Sequence, residues 1–155
     1  MDSMKASDIA IAGATVGPSD TVGAALRVMA EHQLPGLIMV DAEDRPRRVI
    51  PGTQVLRMAI PDSLQDDTAL VRAMDEHYAD QFWIDEDDRP IIDCISKEKA
   101  KPGTVTRDAT LLEVAVTMAD LHSPLVAVVD AAGRHTGTVT LGNVLRYLTL
   151  PQAAD

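Results

Sequence analysis

Residues 16–58 align without a gap on residues 105–147, 89 positions further along the chain, and 12 of the 43 pairs are identical. The identities include Thr21/Thr110, Met29/Met118, Ala30/Ala119, Pro35/Pro124 and Arg45/Arg134. Two runs of three also match, Val40-Asp41-Ala42 with Val129-Asp130-Ala131 and Val55-Leu56-Arg57 with Val144-Leu145-Arg146. Many other pairs exchange one apolar residue for another. An internal repeat decides architecture before any local motif does. A unit this small cannot close a core alone, so the two units are expected to pack on each other.

Each unit reads the same way. Ser19-Asp20-Thr21 offers helix caps, and Val22, Ala25, Leu26, Met29 and Ala30 follow at helical spacing. Leu34-Pro35 breaks that helix. Leu37–Val40 is a continuous apolar run, which suits a strand covered on both faces. A polar turn over Asp41–Pro46 leads to a strand at Arg47–Ile50 and a helix at Thr53–Ile60. In the second copy Thr104–Thr106 is a short strand, and Thr110 with Glu113 forms a T-x-x-E capping pattern ahead of Val114, Ala115, Met118 and Leu121. Leu125–Val129 is the apolar strand, and Leu141–Leu150 is the closing helix.

The segment between the copies has no counterpart. Asp66-Asp67-Thr68 predicts a helix start with acids where the dipole favours them. Leu70, Val71, Met74, His77, Tyr78, Gln81 and Phe82 continue at three-four spacing. That helix holds most of the aromatics, so it is a partner or dimer surface, or else a cover for the module's own core. Ile91–Ile95 reads as a strand with Cys94 as a small apolar residue, and Lys97–Lys101 as a basic loop. Arg45, Arg47 and Arg48 form a basic cluster that suits either a phosphate or acidic partner, or simply a solvated hairpin.

Composition excludes several classes of function. A net charge of −10 and a pI near 4.7 oppose a nucleic-acid surface and an anionic membrane surface. An apolar content of 46% is ample for a core. The single cysteine allows no intrachain disulfide and no Cys-based metal site, which is compatible with the cytoplasm. Met1-Asp2-Ser3-Met4-Lys5 lacks the apolar stretch of a secretory leader. No run approaches the roughly 18 apolar residues of a membrane span. His77 lacks a second ligand at metal spacing. No nucleophile elbow, phosphate-binding loop or carboxylate pair for acid-base work is visible. These absences predict a binder with no catalytic residues and no tightly bound cofactor or metal.

The stretch Gly137–Asn143, G-T-V-T-L-G-N, places Thr140 and Asn143 where a strand gives way to a helix. Free N–H groups there, with a hydroxyl and an amide, can bind ligand oxygens. Equally, Thr140 can simply cap the helix.

The repeated pattern resembles the CBS domain, named after cystathionine β-synthase. Its marks are Asp108-Ala109-Thr110, Val128-Val129-Asp130 and Gly137–Asn143 in the second copy. In the first copy they are Ser19-Asp20-Thr21 and Met39-Val40-Asp41, with Arg48–Gln54 (R-V-I-P-G-T-Q) at the place of the last motif. The resemblance implies an α/β (α+β) fold of two pseudo-symmetric β-α-β-β-α repeats packed through their sheets, with an inserted helix between them. The expected layout is repeat 1 at 1–60, a helical linker at 61–90, repeat 2 at 91–150 and a frayed tail at 151–155. Such pairs, often called Bateman modules, typically sense adenosine-containing ligands and pass the signal on. With Leu150 closing the fold, a module without a fused effector domain is expected, acting on a separate enzyme or transporter. Homodimerisation is also implied.

The resemblance further implies a site. Val139, Thr140 and Asn143 of unit two would face Ser7, Leu34 and Pro35 of unit one, the lead-in around Ser7-Asp8-Ile9 crossing over to line the cleft. Thr140 would bond a ribose or phosphate oxygen, Asn143 the ribose hydroxyls, and the apolar residues would sandwich the base. Asn143 stands where the family has Asp, which replaces two charged acceptor oxygens with one neutral oxygen. Pro35-Gly36 and Pro124-Leu125 occupy places where nucleotide-binding members often carry a basic residue, and His122 and Arg134 are the nearest substitutes. The effectors implied are AMP, ADP, ATP or S-adenosylmethionine, the last carrying no phosphate. The second cleft, with Pro51 and Gln54, is expected to be empty. The competing expectation is a ligand-free dimerisation or scaffold module that works through the middle helix.

Overall fold

The computed structural model describes residues 4–60, 69, 72, 89–93 and 102–149. The elements are α1 (Ala6–Ile9), β1 (Thr15–Val16), α2 (Val22–His32), β2 (Gly36–Val40), β3 (Pro46–Pro51) and α3 (Gly52–Ala59). A 3-10 turn at Ile91–Asp93 follows, then β4 (Thr104–Thr106), α4 (Leu111–Leu121), β5 (Leu125–Val129), β6 (His135–Thr140) and α5 (Leu141–Thr149). The inserted aromatic helix, Cys94 and the Lys97–Lys101 loop fall outside the described residues, apart from Ala69 and Arg72, which are helical. Among the described residues no helix is long and apolar enough to cross a membrane.

The repeat is visible in every local feature. The sheets run β1-β2-β3 and β4-β5-β6. In each, the first pair is parallel and the second antiparallel, with a register shift at Met39/Val40 and again at Val128/Val129. Thr21 Oγ1 accepts from the Ala24 N–H at 3.1 Å, and Thr110 Oγ1 from the Glu113 N–H at 3.1 Å, so both helices start on a threonine cap. Both end on a left-handed residue, Gln33 and His122, each with φ 52°.

The D-A-x-x-R turns match too. Asp41 Oδ1 accepts from the N–H groups of Glu43 and Arg45, and Asp130 Oδ1 from those of Ala132 and Arg134. The Arg45 and Arg134 amides are the main reason that both carboxyls sit below the usual aspartate range. Arg47 closes on Asp41 at 2.7 Å and Arg134 on Asp130 at 3.3 Å.

The apolar strands are covered on both faces, as their continuous runs require. Side chains alternate across a strand. Leu37 and Met39 therefore enter a first core with Val16, Val22, Ile50 and Val55. Ile38 and Val40 point the other way and meet Val49, Leu125 and Ala127 in a cluster between the sheets. Val126 and Val128 enter the second core with Val105, Val114, Met118, Val139 and Val144. The two units thus pack through β2 and β5.

Each core is completed by the segment that leads into the other unit. The N-terminal lead-in docks on the second unit: Ala6 N–H donates to Ala109 O, Ser7 N–H to Arg107 O, and Leu111 N–H to Met4 O. Ala6 and Ile9 are buried in the second core. The segment leading into the second unit returns the arrangement bond for bond: Ile91 N–H donates to Asp20 O, Ile92 N–H to Pro18 O, and Val22 N–H to Arg89 O. Ile91, fully buried, belongs to the first core. Arg89 also donates to Met58 O.

Three expectations change, the first being that α3 runs over Gly52–Ala59 and not Thr53–Ile60. Ile91–Asp93 is a 3-10 turn and not the start of a strand. Pro90 has no N–H to extend its bridge with Thr21, and Asp93 N–H bonds back to Pro90 O. The strand expected at Arg47–Ile50 extends one residue further each way, to Pro46 and Pro51.

Candidate functional site

The site expected at the end of β6 is built by two crossings of backbone and two side-chain hydrogen bonds. Leu141 N–H, the first of α5, donates to Pro124 O at 2.9 Å. Asn143 N–H donates to Thr140 Oγ1 at 3.2 Å. The buried Thr140 therefore does cap the helix, which leaves its oxygen a further lone pair for a ligand. The lead-in then crosses β6, where Ile11 and Thr138 exchange backbone bonds of 2.9 and 2.8 Å. This crossing needs Gly137: a Cβ there would stand 2.7 Å from Ala10 Cβ. Asn143 Nδ2 reaches the lead-in and donates to Ile9 O at 3.0 Å.

The structure thus brings Thr140, Asn143 and the lead-in together. Ser7 is exposed two residues before Ile9. Val139 is fully buried and turns into the second core beside Ala6 and Ile9. Leu34 and Pro35 stay with the first unit. Leu34 is buried in the first core, and Pro35 O accepts from Gly52 N–H at 2.7 Å just before β2. β2 in turn meets β5 across the sheet interface, and the first residue of β5, Leu125, pairs with Thr140. Of the two residues expected to stand in for a basic group facing phosphates, Arg134 pairs with Asp130, and His122 is exposed at the end of α4.

The second, related position is weaker. Pro51 stands where Thr140 would, and α3 starts with no side-chain cap. Among the described residues no group of three or more His, Cys, Asp or Glu could hold a metal.

Sequence reasoning missed two acceptors, Ile9 O and Pro124 O. The second had a signal: Pro35 and Pro124 are identical across the repeat, and each carbonyl accepts from the first N–H of its unit's second helix. It also missed His135, whose Nε2 lies 2.7 Å from Oγ1 of the fully buried Thr138. The His135 N–H donates to Asp44 O of the first unit's turn at 2.7 Å, so this residue joins the two sheets. Burial holds its imidazole below the usual histidine range, with the Asp44 carboxylate opposing that shift.

Comparison with known proteins agrees with this architecture. The CBS domain family model matches residues 97–150. No curated protein matches the chain. A CBS domain-containing protein of unknown function from Kribbella flavida DSM 17836 is 34% identical, with a TM-score of 0.75 over 94% of this chain and 98% of that one. CBSX2, solved in complex with AMP, is 20% identical, with a TM-score of 0.61 over 93% of this chain and 95% of that one. The CBS domain pair of MJ0100, solved with 5′-methylthioadenosine and S-adenosyl-L-methionine, is 18% identical, with a TM-score of 0.62 over 95% and 97% of the two chains. The twofold repeat, the reciprocal lead-ins and the full-length match to the Kribbella protein together establish that this chain belongs to the CBS-domain family, as a tandem pair.

Proposed function

We propose that this chain is a regulatory module that binds one adenosine-containing small molecule at the start of α5 and reports its presence to a separate enzyme or transporter. The observation that carries the reading is the junction itself. The Thr140 hydroxyl, the Asn143 amide and the crossing lead-in all converge on the N-terminus of a nine-residue helix. Helix N-termini favour ligand oxygens. The ligands held by CBSX2 and MJ0100 support the adenosyl class. In this reading Thr140 meets a ribose or phosphate oxygen, Asn143 meets the ribose, Ser7 and Pro35 border the base, and the buried Leu34 and Val139 pack behind them. With Arg134 occupied, S-adenosylmethionine and adenosine suit the site better than ATP. The module catalyses nothing and acts as a homodimer, and its single Cys94 fits a reducing cytoplasm.

One observation favours a second reading, a ligand-free scaffold: Asn143 is already engaged by Ile9 O. Thermal shift with AMP, ADP, ATP, adenosine and S-adenosylmethionine separates the two. A ligand at 100 times its Kd adds about 2.7 kcal/mol, a rise of roughly 5–10 °C for a domain of this size. The sensor reading expects such a rise for one ligand, reduced in Asn143→Ala. A flat panel at millimolar ligand sinks it and leaves the scaffold.

A further inference from the structure

We propose that Asn143 makes this site tolerant of the sugar, so that it binds ribo- and deoxyribonucleosides of adenine about equally. The inference rests on the adenosyl reading above and names what that site discriminates.

The argument starts from the bond between Asn143 Nδ2 and Ile9 O. A carbonyl oxygen only accepts, so the amide nitrogen, and not the amide oxygen, must face Ile9. That choice fixes the carboxamide. Its nitrogen arm holds the lead-in, and its oxygen arm is the acceptor left for a ligand. A carboxylate at this position would offer two charged oxygens, one for each hydroxyl of a ribose cis-diol. The carboxamide offers one neutral oxygen, which can take the 2′- or the 3′-hydroxyl but not both. Removing either hydroxyl then leaves the other to make the same bond. Recognition falls on the base and on whatever follows C5′.

An aspartate here would lose that bond. It would set a carboxylate against the Ile9 carbonyl, two acceptors with no proton between them. Aspartate at 143 would gain the diol and give up this one bond to the lead-in, which the Ala6–Ala109 and Ile11–Thr138 backbone bonds still hold.

The test is titration calorimetry of the full wild-type chain with adenosine, AMP and S-adenosylmethionine, each against its 2′-deoxy and 3′-deoxy forms. Each single deoxygenation is expected to change Kd by less than about fivefold, the scale of one neutral hydrogen bond. In Asn143→Asp the ribo form is expected to win by roughly tenfold or more, the scale of a charge-assisted bond. A wild-type preference for ribose above about fivefold overturns the inference while leaving the adenosyl reading intact. Binding of none of these ligands overturns both. If Asn143→Asp does not fold, the wild-type ratios alone decide.

Discussion

Ile91→Ala is the sharpest test of the reciprocal lead-ins. Ile91 opens the stretch expected to belong to the second repeat, yet its side chain is fully buried in the first unit's core. Burying such a side chain contributes about 1.5–3 kcal/mol. Truncation adds the cost of a cavity, so isoleucine-to-alanine changes in cores cost about 2–5 kcal/mol. The 3-10 turn is pinned by Asp20 O and Pro18 O and has little freedom to collapse, which places the cost at about 3 kcal/mol. For a domain of this size that lowers Tm by roughly 6–12 °C. Each core also contains a segment that leads into the other unit, so the loss is expected in one cooperative transition, read by urea titration and by calorimetry together. Ile92→Ala is the control. Ile92 is 45% exposed and should cost less than about 1 kcal/mol. A cost below 1 kcal/mol for Ile91→Ala, or two separate transitions of which only one moves, would refute the exchange of lead-ins as a source of stability.

Two further outcomes follow from close contacts. Gly137→Ala sets a methyl 2.7 Å from Ala10 Cβ, so a loss of about 1–3 kcal/mol is expected, partly recovered by Ala10→Gly in the same chain; additive losses in urea unfolding would contradict that contact. His135 is held below its unfolded value of 6.5, so the unfolded chain binds its proton first. Its contribution is complete above that pH and is lost as pH falls through 6.5 toward the folded value. His135→Gln should flatten the fall in urea midpoint between pH 7.5 and pH 5, and an unchanged slope would discount the residue.

Much of the fold was legible because the repeat constrained it twice. Helix starts at Thr21 and Thr110, and turns at Asp41 and Asp130, depend on bonds within five residues, and such bonds leave a local mark. The two-faced strands were visible as continuous apolar runs. What stayed hidden depends on contacts far apart in sequence. Asn143 and Ile9 are joined across the whole module, and no local pattern distinguishes an amide that clamps a carbonyl from one that waits for a sugar. Ile91–Asp93 misled for a related reason. Its apolar residues suit a strand, but Pro90 denies the ladder a donor, and docking on the other unit decides the turn. At the candidate site, Thr140 was legible both as cap and as ligand group, and the structure confirms the cap. Leu34 and Pro35 are bound into their own unit, and that depends on Gly52, a residue 17 positions after Pro35.

Binding of an adenosine-containing ligand at the start of α5 is tested by amide NMR titration of the full chain with AMP and with S-adenosylmethionine. The sensor reading expects saturable shifts concentrated at Thr140, Leu141, Asn143, Ile9 and Ala10, with Gly52–Gln54 unmoved. No shift at millimolar ligand, or shifts confined to Gly52–Gln54, would contradict it.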